Sequence, residues 1–365
     1  MAMSGKAAGG VLHVDLSAVV ANWRLLCARH SMGPVAGVVK GDGYGLGAGP
    51  VAAALNAAGC QQFFVALLDE ALAIRNQVPG TMLAVLGGLI PGAEAEFLRH
   101  DIVPVLGSLA EIDCWSATAR SAGRALPAIL HIDTGMARLG LDAREHAILS
   151  ENHDRLAGLN VRYIMTHLVS AEASGDPLNE HQRQHFAEAC ASLPPAPRSF
   201  ANSSGIFLGT GFGSDLARPG AALYGINPTP GQPNPMRQTV RLLARVLAVR
   251  DLPIGASVGY NATWHAARPS RIATAAVGYA DGWDRGLSGR GLAFFDGTPV
   301  PLVGRVSMDL TTFDVTDIPS VVPDTWLELL GPHQTPDDVA VMAGTNGYEI
   351  LTSLALRLPR VYHPA

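Results

Sequence analysis

From residue 35 onward the chain alternates short apolar runs with stretches of helical spacing, and the alternation persists for roughly 190 residues. Strand-like runs fall at 35–40, 63–67, 82–86, 102–105, 128–133, 161–167, 199–202 and 221–224. Helix-like stretches fall between them at 50–58, 69–76, 91–99, 109–122, 141–152 and 179–191. Eight short strands, most separated by one helix, predict a (β/α)8 TIM barrel and not an open sheet with a topological switch. Two features fit less well: Pro104 lies inside the fourth strand, and the link 202–221 is poorly helical. Barrels tolerate the second, because a small extra helix after strand seven often serves a phosphate site. Ahead of the barrel, residues 11–15 alternate as a strand and 16–30 read as a helix with Val20, Trp23, Leu26 and Cys27 on one face.

The texture changes at 227–234, where prolines and glycines interrupt regular structure. Beyond it, runs at 245–249, 272–277, 292–295, 300–305 and 310–315, separated by turns such as Asp296-Gly297, predict a mainly-β domain closed by a helix at 347–357. The reading is α/β: a barrel over 11–230 and a C-terminal β domain over 231–365, with strand 11–15 a candidate to pack against the second. A chain of 365 residues is long for one core, and with 48% hydrophobic and 16% charged residues it is expected to be well folded. The net charge of −5 comes with no basic block, which disfavours a nucleic-acid partner. No apolar run reaches membrane-spanning length, and no signal-peptide core follows the small, loose residues 1–10. Cys27, Cys60, Cys114 and Cys190 lack metal spacing, so they read as reduced thiols of a cytoplasmic protein.

Barrel chemistry gathers at the C-terminal ends of strands. There the chain places Lys40 and Tyr44 after strand one, Asp133-Thr134-Gly135-Met136-Ala137-Arg138 after strand five, His167 after strand six, and Asn202-Ser203-Ser204-Gly205 after strand seven; Arg218-Pro219-Gly220 leads into strand eight. Each has an ordinary reading, such as a surface lysine snorkelling off a strand end or a packed histidine. Together they compose an amine able to hold an aldehyde cofactor, a phosphate cradle at Ser204 and the backbone of Gly220 and Ala221, and two arginines for carboxylate or ring atoms. A metal-dependent hydrolase would want more histidines and acids than His131, Asp133 and His167, so no metal is expected.

Val38-Val39-Lys40-Gly41-Asp42-Gly43-Tyr44-Gly45, Asp133 to Gly140, Thr166-His167, Asn202-Ser203-Ser204 and Arg218-Pro219-Gly220 resemble, in order, the motifs of the alanine racemase family. So do Val258-Gly259-Tyr260, Gly278-Tyr279-Ala280-Asp281, Gly304 to Asp309, Asn346-Gly347-Tyr348-Glu349 and the closing Arg360-Val361-Tyr362. The resemblance implies a fold-type III racemase using pyridoxal 5'-phosphate. It interconverts L- and D-alanine for peptidoglycan or for catabolism. Lys40 would carry the cofactor as an aldimine and act as a base toward the D enantiomer. Tyr44, Ser204, Gly220, Ala221 and Tyr348 would surround the phosphate, Arg218 would face the ring nitrogen, and Arg138 the phenolic oxygen. His167 would lie near the ring. A head-to-tail homodimer is implied, with Tyr260 as the second base and Met308 as a carboxylate contact in the other subunit's barrel, and Tyr279 at the entrance. Inversion needs proton donors on both faces, which a lysine and an opposed tyrosine supply.

The chain departs from the family at two places. Many members carry a carbamylated lysine where this chain has His131, and that carbamate orients the arginine matching Arg138. The expectation here is that a neighbouring carboxylate, a bound anion or a water-mediated contact substitutes, or that Arg138 is held less rigidly. Gly41-Asp42-Gly43 also replaces a commoner alanine and asparagine. Alternatives are a broader amino-acid racemase, a basic-amino-acid decarboxylase, which should lack a base like Tyr260, and a cofactor-binding regulatory protein without turnover.

Overall fold

The computed structural model describes residues 8–365. Most of the expected loose start therefore lies outside the described residues, but Gly10 already opens strand β1 (Gly10–Asp15). Seven parallel strands follow in sequence order: β2 (Gly37–Val38), β3 (Gln62–Val65), β4 (Met82–Val85), β5 (Ile102–Leu106), β6 (Leu126–His131), β7 (Leu159–Met165) and β8 (Arg198–Ser199). Pro104 sits within β5 without breaking it, opposite Val85.

The eighth staves of the barrel are not where the sequence reading put them. Residues 221–224 form a 3-10 turn, Ala221–Tyr224. Closure comes instead from Leu216 and Ala217, which bridge in parallel to Ser199 and Val35 respectively. The Ala217 carbonyl accepts from the Ala36 N–H at 2.9 Å, and the Leu216 N–H donates to the Arg198 carbonyl at 3.2 Å. A (β/α)8-like barrel thus stands, closed by an irregular eighth segment. Its interior is an apolar cluster of Ala36, Val38, Phe64, Ala84, Val103, Val105, Ile129, Met165 and Leu216. Val103 and Val105 show the alternation that points every second side chain inward.

Helices cover the outside, and polar caps fix their starts. Asp15 accepts from the Ala18 N–H ahead of Leu16–Arg29, Ser108 from Glu111 ahead of Leu109–Ala122, and Asp142 from Glu145 ahead of Ala143–Glu151. Asp176 does the same for Pro177–Ala191, which has proline in its first turn. Between Ser204 and Phe212 the chain makes only two 3-10 turns, so the weak helical signal there was sound.

The second sheet is built on the long strand β9 (Val240–Leu252). The remaining strands are β10 (Ser257–Val258), β11 (Trp264–His265), β12 (Ser270–Ala275), β13 (Leu292–Phe295), β14 (Thr298–Pro301), β15 (Thr311–Asp314), β16 (Trp326–Leu330) and β17 (Arg360–His363). β10 and β11 form a separate hairpin; β1 lies between β9 and β17, antiparallel to the first and parallel to the second. The expected closing helix is shorter, Gly347–Thr352, and a helix at Pro336–Ala343 went unforeseen. Among the described residues no helix is long and apolar enough to cross a membrane.

Candidate active site

Lys40 leaves the barrel mouth just after β2, where the Val39 N–H still bonds the Phe64 carbonyl at 2.9 Å. The chain then winds left-handed: φ is 63° at Gly41, 52° at Asp42, 63° at Gly43, 54° at Tyr44 and 81° at Gly45. Left-handed backbone costs about 1–2 kcal/mol for each residue with a Cβ. Glycine at 41, 43 and 45 removes that strain from three of the five residues. Asp42 offsets part of its own by accepting from the Ala48 N–H at 2.9 Å. The Glu70 carboxylate accepts from the Gly41 N–H at 2.6 Å. The turn is also sterically closed, since a Cβ on Gly45 would lie 2.3 Å from the Leu351 carbonyl oxygen. Gly45→Ala should therefore lower stability by about 2–5 kcal/mol. Gly80, with φ of 70° and nothing within 4 Å of its Cβ position, is the control in a thermal melt. If Gly45→Ala melts like Gly80→Ala, the turn is not constrained as described.

One cavity of about 330 Å³ opens at this mouth, lined by Lys40, Tyr44, Arg138, His167, Ser204, Arg218, Gly220, Ala221 and Tyr348. Arg218 is buried and donates to the Ser199 hydroxyl and to the Thr166 carbonyl. Burial pulls its guanidinium down to about 9. Desolvation and then the Arg138 charge lower the Lys40 pKa, with Glu70 pulling it back up. Burial and the neighbouring Arg218, Lys40 and Arg138 drive His167 down to about 3; burial, with Arg218 and Arg138, takes His131 to about 4. The site is a desolvated cluster of positive charge with two histidines kept neutral. Such a cluster calls for an anion.

Those two histidines should also make the cofactor-free chain acid-sensitive. Both folded-state values lie below the ordinary 6.5, so between about pH 6.5 and 3 the unfolded chain binds more protons. Their contribution is complete above about pH 6.5 and is lost as pH falls, with a limiting slope of about 1.4 kcal/mol per pH unit for each histidine. Unfolding measured from pH 7 to 4 should flatten measurably in His131→Asn. An unchanged slope would remove His131 from this account.

Other side chains shape the cavity. Tyr44 stacks on Tyr224 with ring centroids 4.6 Å apart, and burial raises its phenol to about 12. A Cβ on Gly220 would fall 2.1 Å from the Tyr44 hydroxyl, so glycine is required for the two to meet. Ser203, for which the sequence suggests no role, accepts through its hydroxyl from the N–H groups of Gly220 (3.0 Å) and Ala222 (3.2 Å) and fixes the loop. Gln182, which no sequence signal marked, is fully buried and donates to the Thr134 hydroxyl and the His167 carbonyl. Glu172, also unforeseen, accepts from the Tyr348 hydroxyl, and its carboxyl is raised by burial and by Asp337.

His131 lies buried at the end of β6. The neighbouring carboxylate, Asp133, is engaged with backbone: it accepts from the N–H groups of Gly135, Met136 and Ala137. Among the described residues Arg138 makes no hydrogen bond or ion pair. Tyr260, Tyr279 and Met308 do not line the Lys40 cavity. They are 68%, 42% and 54% exposed on the β domain. Tyr279 and Met308 are neighbours, because the Tyr279 N–H donates to Ser307 and the Ala280 N–H to the Met308 carbonyl. Arg357 steadies this edge through Asp281 and Asp309.

The chain resembles known proteins along nearly its whole length. Residues 14–228 match the family described as alanine racemase, N-terminal domain, and residues 239–362 the alanine racemase C-terminal domain. An alanine racemase of Acidiphilium cryptum is 54% identical over 350 residues, covering 96% of this chain and 98% of its own. A catabolic alanine racemase of Mesorhizobium japonicum is 47% identical, covering 99% and 95%. The crystal structure of alanine racemase from Bartonella henselae with covalently bound pyridoxal phosphate superposes with a TM-score of 0.94 at 40% identity, over 98% of this chain and all of that one. With the barrel, the β domain and the lysine-centred cavity all in place, this chain belongs to the alanine racemase family.

Proposed function

We propose that the chain interconverts L- and D-alanine with pyridoxal 5'-phosphate held at the barrel mouth. The observation that carries the reading is the cavity itself. It sets one desolvated amine beside two arginines with no acidic partner among the described residues for either. Its far wall is a glycine loop on which the Tyr44 hydroxyl already occupies the space of a Cβ. This chemistry fits the cofactor: an amine for the aldehyde, guanidinium groups for the phenolic oxygen and the ring nitrogen, and close backbone approach for the phosphate. Lys40 would hold the aldehyde carbon, with Tyr44, Ser204, Gly220, Ala221 and Tyr348 around the phosphate. Arg138 would meet the phenolic oxygen, and Arg218 the ring nitrogen. The bound group supplies an electron sink for the charge left when the α-proton departs.

The chain's own groups do the rest. Arg218, fixed by Ser199 and Thr166, is a poor proton donor even with its pKa drawn down, and would not supply a proton to the ring nitrogen of the bound group. Lys40, its pKa lowered, removes or returns the α-proton on the side of the D enantiomer. Its opposite would be Tyr260 of the partner subunit, serving the L enantiomer. Met308 of the partner subunit would help hold the substrate carboxylate together with Arg138, and Tyr279 of the partner subunit would line the entrance. The exposure of all three on the β domain, away from their own chain's cavity, supports this head-to-tail arrangement.

The test is chiral analysis of L- and D-alanine incubated with the cofactor-loaded protein, beside L-serine, L-lysine and L-arginine. Alanine alone should approach a racemate from both sides. Loss of carboxyl carbon, or no turnover of any amino acid, would replace the reading by a decarboxylase or a regulatory protein. Borohydride reduction followed by peptide mapping should place the cofactor's mass on Lys40.

A further inference from the structure

We propose that Arg360 and Tyr362, on the C-terminal strand β17, are positioning residues for Lys40: they hold the end of the left-handed turn that sets the lysine at the barrel mouth. The inference rests on the reading of Lys40 as the cofactor-bearing amine.

The guanidinium of Arg360 has an unusual set of partners. Its Nη2 and Nε both donate to the Gly45 carbonyl, at 2.8 and 3.2 Å. Its remaining donors reach the carbonyls of Leu354 (3.1 Å), Ala355 (3.2 Å) and Leu358 (3.2 Å). No carboxylate pairs with it among the described residues. A charge held only by backbone carbonyls organises chain and does not neutralise an acid. Two residues on, the Tyr362 hydroxyl donates to the Leu46 carbonyl at 3.0 Å. That hydroxyl stands 2.1 Å from where a Cβ on Gly47 would be.

The turn needs these contacts. Four of its N–H groups are used locally, from Gly43 to Val39, Gly45 to Gly41, Leu46 to Gly43 and Gly47 to Asp42, and that of Gly41 goes to Glu70. The carbonyls of Gly45 and Leu46 point the other way, toward the C-terminal strand. Backbone in the left-handed region has a right-handed or extended alternative that is lower in energy for Asp42 and Tyr44. Releasing the end of the turn would let those two residues relax and would carry Lys40 and the Tyr44 hydroxyl away from the cavity. β17 is in turn fixed in the sheet of the β domain, with Tyr362 in register with Val14 of β1. The β domain therefore reaches its own chain's lysine from behind, a role separate from any residue it lends to a partner.

Arg360→Lys and Tyr362→Phe test this. A lysine cannot span two elements with a planar fork, so the conservative change should not rescue. In hydrogen-exchange mass spectrometry of the cofactor-free chain, amides of 41–48 should exchange about ten-fold faster in Arg360→Lys and about three-fold faster in Tyr362→Phe. Amides of the barrel strand β6 should keep their wild-type rates. In the loaded protein, the pH titration of the visible absorbance should shift in both variants, and cofactor release into hydroxylamine should quicken in the same order. The proposal is overturned if 41–48 exchange within two-fold of wild type, or if all segments loosen together as in a general loss of stability. Failure of borohydride to fix the cofactor on Lys40 of the wild type would instead defeat the reading of the lysine. Local exchange at 41–48 would still decide whether the strand holds the turn.

Discussion

Replacing Lys40 by alanine should abolish covalent capture of pyridoxal 5'-phosphate and lower racemisation by about 10³–10⁴-fold or more. General acid–base work by one positioned group contributes roughly 10²–10⁴-fold, and the loss of the attachment point comes on top of that. Folding should survive. Lys40 sits among Arg138, Arg218 and His167, and its removal takes one positive charge out of a cluster of like charge. The cofactor-free variant should thus melt at or above the wild-type temperature. Lys40→Arg separates charge from chemistry. It keeps a cation at the barrel mouth, but a guanidinium stays protonated and is no nucleophile. Both variants should be inactive, and a small exogenous amine should partly rescue the alanine variant, which leaves room for it. Activity within ten-fold of wild type in Lys40→Ala, with cofactor present, would rule the lysine out as base and anchor.

The lysine was legible because a buried strand ending in lysine is a rare juxtaposition, and the alternation around it carried the barrel. The glycines after it were legible as spacing but not as geometry. Handedness is a matter of φ, and glycine admits either sign, so only the structure gives Gly41 to Gly45 a left-handed sense. The eighth strand was misplaced for a different reason. Ala221–Tyr224 is apolar and strand-like in composition, but Gly220 and Gly225 bracket it, the latter at φ 87°, and the chain coils into a 3-10 turn. The real closing segment at Leu216 and Ala217 is a pair of residues before Arg218, too short for periodicity to register. Ser203, Gln182 and Glu172 act through contacts 15 to 176 residues distant in sequence, and no local pattern encodes such partners. Arg360 and Tyr362 were visible as a family match at the chain's end. Their meaning comes from a turn more than 300 residues earlier.

Mixing two inactive variants should restore activity, and this decides whether the site is shared. Tyr260 is 68% exposed on the β domain, while Lys40 lies in a cavity that Tyr260 does not line. If one chain supplied both bases, these two side chains would have to face each other across a single cavity, and they do not. In a head-to-tail dimer each site takes its lysine from one chain and its tyrosine from the other. Lys40→Ala and Tyr260→Phe homodimers should each be inactive in racemisation. The second should still bind cofactor and still exchange the α-proton of D-alanine. Unfolding and refolding an equal mixture yields hetero-dimers in about half of the population. One site of each then carries both defects, and the other carries neither. The mixture should reach about a quarter of wild-type activity, with intact sites indistinguishable from wild type in KM. The tyrosine sets the scale of the loss: an ordinary phenol has a pKa near 10, so phenylalanine at the same place can neither accept nor return a proton. No recovery above the sum of the separate variants would mean that the lysine and the tyrosine do not meet across a subunit boundary, and the two-base assignment would fall with it.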